Sequence, residues 1–486
     1  MLLNDTTTSR LNLIRHMADQ AFSRSAGAPL VGGNHIELLF DSTQNFPAWE
    51  RAITQAQHHI FIEMYIFSNG RFGCHLRDLL IKKATEGIAI YLLYDWFGSC
   101  YEHYFGFFKP LQKAGVHVRV FNKPSTNRIL QLLQRDHRKL IIIDGHTAFV
   151  SGLCISSLWE SHASGSTKVW RDTGTKLTGP IVADAVAAFA DSWSRCGVPL
   201  TENLKNIQTM PCGSVQARLI ATTPDTVSMM RLDVLIASIA RHTLWITDAY
   251  FMGSGLYISA LKHAARDGVD VRILVPRSSD IGWIATISRT LYRPLIESGV
   301  RVFEWNGAMM HAKTAVADFR WSRIGSTNLN LFSWLANREL DVSIEDELLS
   351  TEMATRFLDD LNNATEIVLS GSSHRLNLAL PRQHEAPSFM PLRGRSVASA
   401  NAVARQIVRI KDVLGVVASD TRAVESSEAP SFLLIGLFLC LLAMLIGWFP
   451  RFIAWPLAVL IGISGLATTV RSVMLYRERR HQRSSK

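Results

Sequence analysis

"HRKLIIIDGHTAFVSGLC", from His137 to Cys154, opens with the spacing His-x-Lys-x4-Asp at His137, Lys139 and Asp144. "HAKTAVADFRWSRIGSTN", from His311 to Asn328, opens with the same spacing at His311, Lys313 and Asp318. One copy of so short a motif arises often by chance, but two copies in matched settings carry information. On a strand, side chains two apart share a face, so each copy aims an imidazole and an ammonium into one space.

The flanks repeat as well. In the first half "HHIFIEMYIF" reads as a strand and "HLRDLLIKKATEG" as a helix that stops at Gly87. Its apolar residues Leu76, Leu79, Leu80 and Ala84 keep helical spacing. "IAIYLLYD", "FKPLQKAG" and "VHVRVF" continue as strand, short helix and strand. The second half gives the same order in "TLWITDAYF", "LYISALKHAARDG", "VDVRILVP", "YRPLIESG" and "VRVFEW". Strands alternating with helices predict an α/β sandwich with a largely parallel sheet in each half. Two like halves packed about a pseudo-twofold would set the His-Lys pairs face to face, with the active site between them.

That pairing has a chemistry. Lysines neutralise phosphate oxygens. Histidine titrates near neutrality and serves as nucleophile, acid or base. With two histidines, one attacks phosphorus while the other protonates the leaving alkoxide, and a covalent phosphohistidine divides one hard substitution into two easier ones. A nucleophilic imidazole needs a carboxylate on its far nitrogen. Asp172 in "WRDTG" and Glu339 in "NREL" follow the two motifs at comparable places and are the orienting candidates. Ser326 and Asn328 in "GSTN" are further phosphate or imidazole partners. No metal cluster is visible, and this route needs no cofactor.

The chain has 486 residues, with 51 Lys and Arg against 41 Asp and Glu. That positive excess fits a phosphate-bearing partner, either nucleic acid or an anionic membrane. The six cysteines are scattered without a C-x-x-C, which excludes a zinc spacing or a disulfide framework and reads as reduced thiols. "MLLNDTTTSRLNLIRHMADQ" is too polar for a signal peptide, so the catalytic part is expected in the cytoplasm. Phe432 to Phe449 and Phe452 to Val470 carry no charge and flank Pro450-Arg451. They read as a transmembrane helical hairpin, with Trp448 and Trp455 at its turn and the basic tail "RSVMLYRERRHQRSSK" held on the cytoplasmic side.

The doubled motif with "GSTN" after its second copy resembles the phospholipase D superfamily. "YIFSNGRFG", "YDWFGS", "WRDTGTKLTGP" and "GSTNLNLFSWLANRELDVSI" resemble the bacterial cardiolipin synthases within it. The resemblance implies that His137 takes the phosphatidyl group and that His311 releases the first alcohol and activates the second. It implies phosphate binding by Lys139, Lys313, Ser326 and Asn328, orientation of the histidines by Asp172 and Glu339, and support of the site by Asp144 and Asp318. The expected reaction is a phosphatidyl transfer that joins two phosphatidylglycerols into cardiolipin, with phosphatidylethanolamine as an alternative donor and no nucleic acid partner. The alternatives are a phospholipase D-type hydrolase of phospholipid or nucleic acid, and an inert membrane scaffold. The expected location is the bacterial inner membrane; the oligomeric state is left open. One departure is Cys154, which stands where the family pattern has asparagine.

The chain is thus expected to divide into an N-terminal amphipathic arm (1–35), two phospholipase D-like halves (36–200 and 201–370), a linker with an amphipathic stretch (371–430), the hairpin (431–471) and the basic tail (472–486). In the arm, Leu11, Ile14, Ala18 and Phe22 form an apolar stripe that packs on the domain or on a membrane.

Overall fold

The computed structural model describes residues 19–124, 134–160 and 169–369, apart from 206 and 208. The linker, the hairpin segments and the tail lie outside the described residues, as do Leu11, Ile14 and Ala18. Among the described residues no helix is long and apolar enough to cross a membrane. Phe22, the remaining residue of the N-terminal stripe, packs against the second half's core.

The first half runs β1 (Val31–Phe40), α1 (Asp41–Gln55), β2 (His59–Met64), α2 (Arg71–Thr85) and β3 (Ala89–Asp95). It continues through α3 (Cys100–Phe105), α4 (Lys109–Lys113), β4 (His117–Phe121), β5 (Lys139–Ile143), β6 (Thr147–Ser151), β7 (Trp170–Arg171), β8 (Thr173–Thr178) and α5 (Ile181–Arg195). After the exposed α6 (Glu202–Lys205) the second half runs β9 (Val215–Thr222), α7 (Ser228–Ile239), β10 (Thr243–Thr247), α8 (Gly255–Arg266), β11 (Asp270–Pro276) and α9 (Gly282–Ile296). It ends with β12 (Arg301–Trp305), β13 (Met309–Met310), β14 (Thr314–Ala317), β15 (Trp321–Gly325), α10 (Leu331–Leu335), β16 (Glu339–Glu345), α11 (Glu347–Leu361) and β17 (Ala364–Ile367). The division drawn between residues 35 and 36 falls inside β1.

Fifteen of the strands form one continuous sheet, ordered β17-β12-β11-β10-β14-β15-β16-β9-β1-β8-β6-β5-β2-β3-β4, and β7 pairs with β13 apart from it. Read outward from the β9–β1 junction, the two halves place equivalent strands in the same order. The largely parallel sheet expected from the sequence is a correction. Within the continuous sheet only β2-β3-β4 and β10-β11-β12 pair in parallel, through helical crossovers. The strand after each motif turns straight back, so β5 pairs antiparallel with β6 and β14 with β15. A tight turn permits no other direction.

Three apolar cores hold this layout. One packs α1, α2 and α4 on the outer face of the first half around Trp49, Ile62, Leu80 and Leu111. A second packs α7, α8 and α9 on the second half around Leu232, Leu261, Ile273 and Leu295. The third belongs to both halves: Phe61, Ile142, Val150 and Phe189 share it with Leu219, Ile324, Leu340 and Phe357. Fully burying such side chains is worth about 1.5–3 kcal/mol each, so this shared core fixes one half against the other.

Candidate active site

The approach to each histidine is strapped to the opposite half. Asp136 forms a parallel bridge with Arg338, and the His137 N–H donates to the Arg338 carbonyl at 2.9 Å. In the mirror arrangement β13 pairs in parallel with β7, and the His311 N–H donates to the Arg171 carbonyl at 2.8 Å. Arg171 and Arg338 each precede an orienting candidate, so each strap delivers a carboxylate across the interface. His137 Nδ1 lies 2.8 Å from Glu339 Oε2, and His311 Nδ1 lies 2.7 Å from Asp172 Oδ2. The carboxylate that follows one motif in the chain therefore serves the histidine of the other. Both carboxylates are fully buried and accept the Nδ1–H, which leaves each Nε2 with its lone pair.

The lysines stand beside their own histidines. Lys139 Nζ donates to the His137 carbonyl at 2.6 Å, and Lys313 Nζ donates to the His311 carbonyl. Lys313 Nζ also lies 2.9 and 3.0 Å from the two ring nitrogens of His311. Both lysines are about 1% exposed, and each lies over a tyrosine face: Lys139 is 5.2 Å from the Tyr65 ring and Lys313 is 5.8 Å from Tyr250. The same tyrosines meet the imidazoles edge-on, Tyr65 with His137 at 4.8 Å and Tyr250 with His311 at 5.9 Å. Trp159 and Trp170 add two more rings against His311. The sequence reasoning did not single out these rings, although Tyr65 and Tyr250 follow the first strands of the two repeats.

Burial governs the protonation states. It pushes the His311 imidazole down to about 3, helped by the Lys313 charge, with Asp172 pulling the other way. His137 is also lowered, first by burial. Burial lowers Lys313 to about 8 and lowers Lys139 as well. Burial pushes Asp172 and Glu339 up, but their histidine and lysine neighbours outweigh it and hold both carboxyls below the usual range. The carboxylates thus stay ionised and pair with the imidazoles, which leaves the two lysine side chains as the groups able to meet an anion.

The remaining candidates divide into two groups. Ser326 donates to Glu339 Oε2 at 2.6 Å, and the buried Oδ1 of Asn328 has no hydrogen-bond partner. Asp144 and Asp318 are not beside the imidazoles; they lie past the far ends of β5 and β14. Each has a φ of 51° and accepts three backbone N–H groups, Asp144 from Gln57, His58 and His59 and Asp318 from Arg241, His242 and Thr243. Cys154 is buried at the edge of the first half's core, within range of the Lys139 and Lys313 charges, and burial raises its thiol pKa. Among the described residues no group of three or more His, Cys, Asp or Glu is placed to hold a metal ion.

Residues 50–157 and 235–361 match the family described as "Cardiolipin synthase, PLD-like domain". A cardiolipin synthase of Alkalihalophilus pseudofirmus is 30% identical over 350 residues, covering 70% of this chain and 69% of that protein. Cardiolipin synthase A of Pseudomonas fluorescens SBW25 is 31% identical over 355 residues, 72% of this chain and 73% of that protein. Among solved structures, the phosphatidylserine synthase of Haemophilus influenzae superposes with a TM-score of 0.57 at 15% identity, covering 72% of this chain and 91% of that one; the likeness is one of fold. The chain belongs to the phospholipase D-like family of the cardiolipin synthases. It is an enzyme of the phospholipase D phosphatidyltransferase type.

Proposed function

We propose that this enzyme joins two phosphatidylglycerols into cardiolipin and releases glycerol, through a phosphohistidine on His137. The observation that carries the reading is the crossed pair of imidazole–carboxylate bonds, each with a lysine at its side. His137 Nε2 attacks phosphorus, and the bond to the glycerol oxygen breaks. Lys139 and Lys313 balance the charge of the phosphoryl oxygens, with Ser326 and Asn328 at their margin. An anion bound between the lysines favours the protonated form of His311. His311 gives its proton to the leaving alkoxide. It then takes a proton from the hydroxyl of the second lipid, whose oxygen attacks phosphorus and frees His137. Phosphatidylethanolamine fits the same first step as donor, and the phosphate is the chemistry the site addresses.

In the same reading the two halves are held at the inner membrane of a bacterium by the hairpin over 431–471, with the catalytic part and the tail on the cytoplasmic side.

The test is purified protein in detergent with labelled phosphatidylglycerol, with and without phosphatidylethanolamine. Wild type should yield cardiolipin and glycerol. His137→Ala and His311→Ala should each lose about 10³-fold or more in rate. Phosphatidic acid as the main product would make water the acceptor and turn the reading to a phospholipase D-type hydrolase. Undiminished synthesis by His137→Ala would sink the assignment of the nucleophile.

A further inference from the structure

Helix α3 is amphipathic in the wrong sense for a soluble surface. Its acid, Glu102, is 6% exposed and accepts the Asn69 N–H at 3.2 Å. Its aromatics Tyr101, Tyr104 and Phe105 share one face and stand 56%, 67% and 74% exposed. Phe97 extends this face, with the Arg135 guanidinium 4.3 Å over its ring. In the second half α10 behaves the same way: Leu331, Phe332 and Leu335 face solvent, while Ser333 and Trp334 are buried.

Both helices adjoin the site. Strand β3, which leads into α3, ends at Asp95, and Asp95 Oδ2 accepts the backbone N–H of Asp136 at 2.9 Å, next to His137. Helix α10 begins just after Asn328, and its cap Asn330 also holds the Tyr250 carbonyl at 3.0 Å.

Around α3 the exposed charges in this stretch of chain are positive. Between Trp96 and Lys123 the charged residues are Glu102, which is buried, and Lys109, Lys113, Arg119 and Lys123. The Lys109 stem packs over Gly106 at the end of α3. Lys123 is close enough to His103 to lower its pKa, after burial.

We propose that these two outward faces form a docking surface for an anionic phospholipid bilayer around the mouth of the site; this rests on the phospholipid reading above. On α3, exposed aromatics beside exposed lysines match the interfacial zone of a membrane, where tyrosine rings settle and lysines meet headgroup phosphates, and the exposed Leu331, Phe332 and Leu335 of α10 supply further apolar surface. The arrangement also shortens the path from the bilayer to imidazoles that are themselves buried.

The test uses the full chain, as wild type and as the double variant Tyr101→Ser/Phe105→Ser, in two measurements. The first is deuterium uptake by the backbone over 100–106 in vesicles of phosphatidylglycerol and in vesicles of phosphatidylcholine. The second is turnover of phosphatidylglycerol in vesicles and of a short-chain phosphatidylglycerol kept monomeric. Slower uptake in the anionic vesicles is expected. The variant should lose about tenfold in vesicle turnover while keeping its rate on the monomeric lipid. Equal uptake in both vesicles would overturn the proposal, as would equal losses on both substrates. Protection that follows protein concentration rather than lipid would assign the surface to a second copy of the chain and overturn it too. No turnover of either substrate by wild type would remove the phospholipid reading, while the uptake comparison would still decide the docking.

Discussion

Gly152 and Ser326 hold the same place after the two motifs, and the carboxylates opposite them differ to match. Glu339 is long enough to reach His137 while accepting the Ser326 hydroxyl at 2.6 Å. Asp172 is shorter and lies against Gly152, where an added Cβ would sit inside van der Waals contact with its Oδ1. Asp172 cannot give way, because it accepts from the Thr173 N–H at 2.8 Å and the Trp159 indole at 3.0 Å as well as from His311. Gly152→Ala should therefore misplace the His311 imidazole and cost about 100-fold in kcat with little change in KM; steady-state kinetics would read it, and an unchanged kcat would show that Asp172 tolerates displacement. The lysines set the pH dependence. With Lys313 lowered to about 8, its charge and its hold on phosphate are lost as pH rises through that value. Both imidazoles are lowered from their ordinary value near 6.5, His311 to about 3, so neither holds a second proton to lose as pH rises above neutrality. The pH profile of kcat/KM should be flat around neutrality and fall above about pH 8, and Lys313→Arg should move that alkaline limb upward, since arginine stays charged. Cys154 is given no part in this scheme: its thiol is buried and its pKa raised, near the site lysines. Cys154→Ser should keep kcat within about threefold, the cost of a mildly altered packing contact; a greater loss would give the thiol a role in the site.

At the scale of elements, the repeated helix-and-strand order was readable because each segment carries its own period and its own glycine stop. The strand directions outside β2-β3-β4 and β10-β11-β12 were not, because they depend on turns. Asp144 and Asp318 make those turns. Each stands in the left-handed region and gathers three N–H groups from the start of the neighbouring β2 or β10. The motif aspartate is thus the anchor of the strand that carries the histidine and lysine. Asp144→Ala leaves three donors without their acceptor and puts a Cβ-bearing residue at positive φ without a compensating bond. The expected cost is about 2–3 kcal/mol of stability. Urea denaturation should record it as a lower midpoint, while kcat of the protein that remains folded stays close to wild type. A large fall in kcat at unchanged stability would instead place Asp144 in the reaction.

For the whole molecule, the candidate residues were legible in the sequence but their partnership was not. Nothing in the spacing says that Glu339 answers His137 and Asp172 answers His311. That exchange follows from the straps at Arg171 and Arg338, which pair across the halves, and from the core they share. Neither half contains a complete imidazole–carboxylate pair. Each half alone would also expose the apolar face that carries Ile142 and Phe189, or Ile324 and Leu340. Residues 1–200 produced without the rest should therefore be inactive and prone to aggregate. Co-expression with 201–486 should restore soluble, active protein, because the β1–β9 junction and the shared core lie between the two pieces. A nick beside the exposed Thr201 and Glu202 should likewise be tolerated, because Leu204 and Ile207 keep the new end packed on the shared core. Size-exclusion chromatography with an activity assay would check both outcomes. Transfer by either piece alone would mean that one His-Lys pair suffices, and the crossed carboxylates would lose the role given to them here.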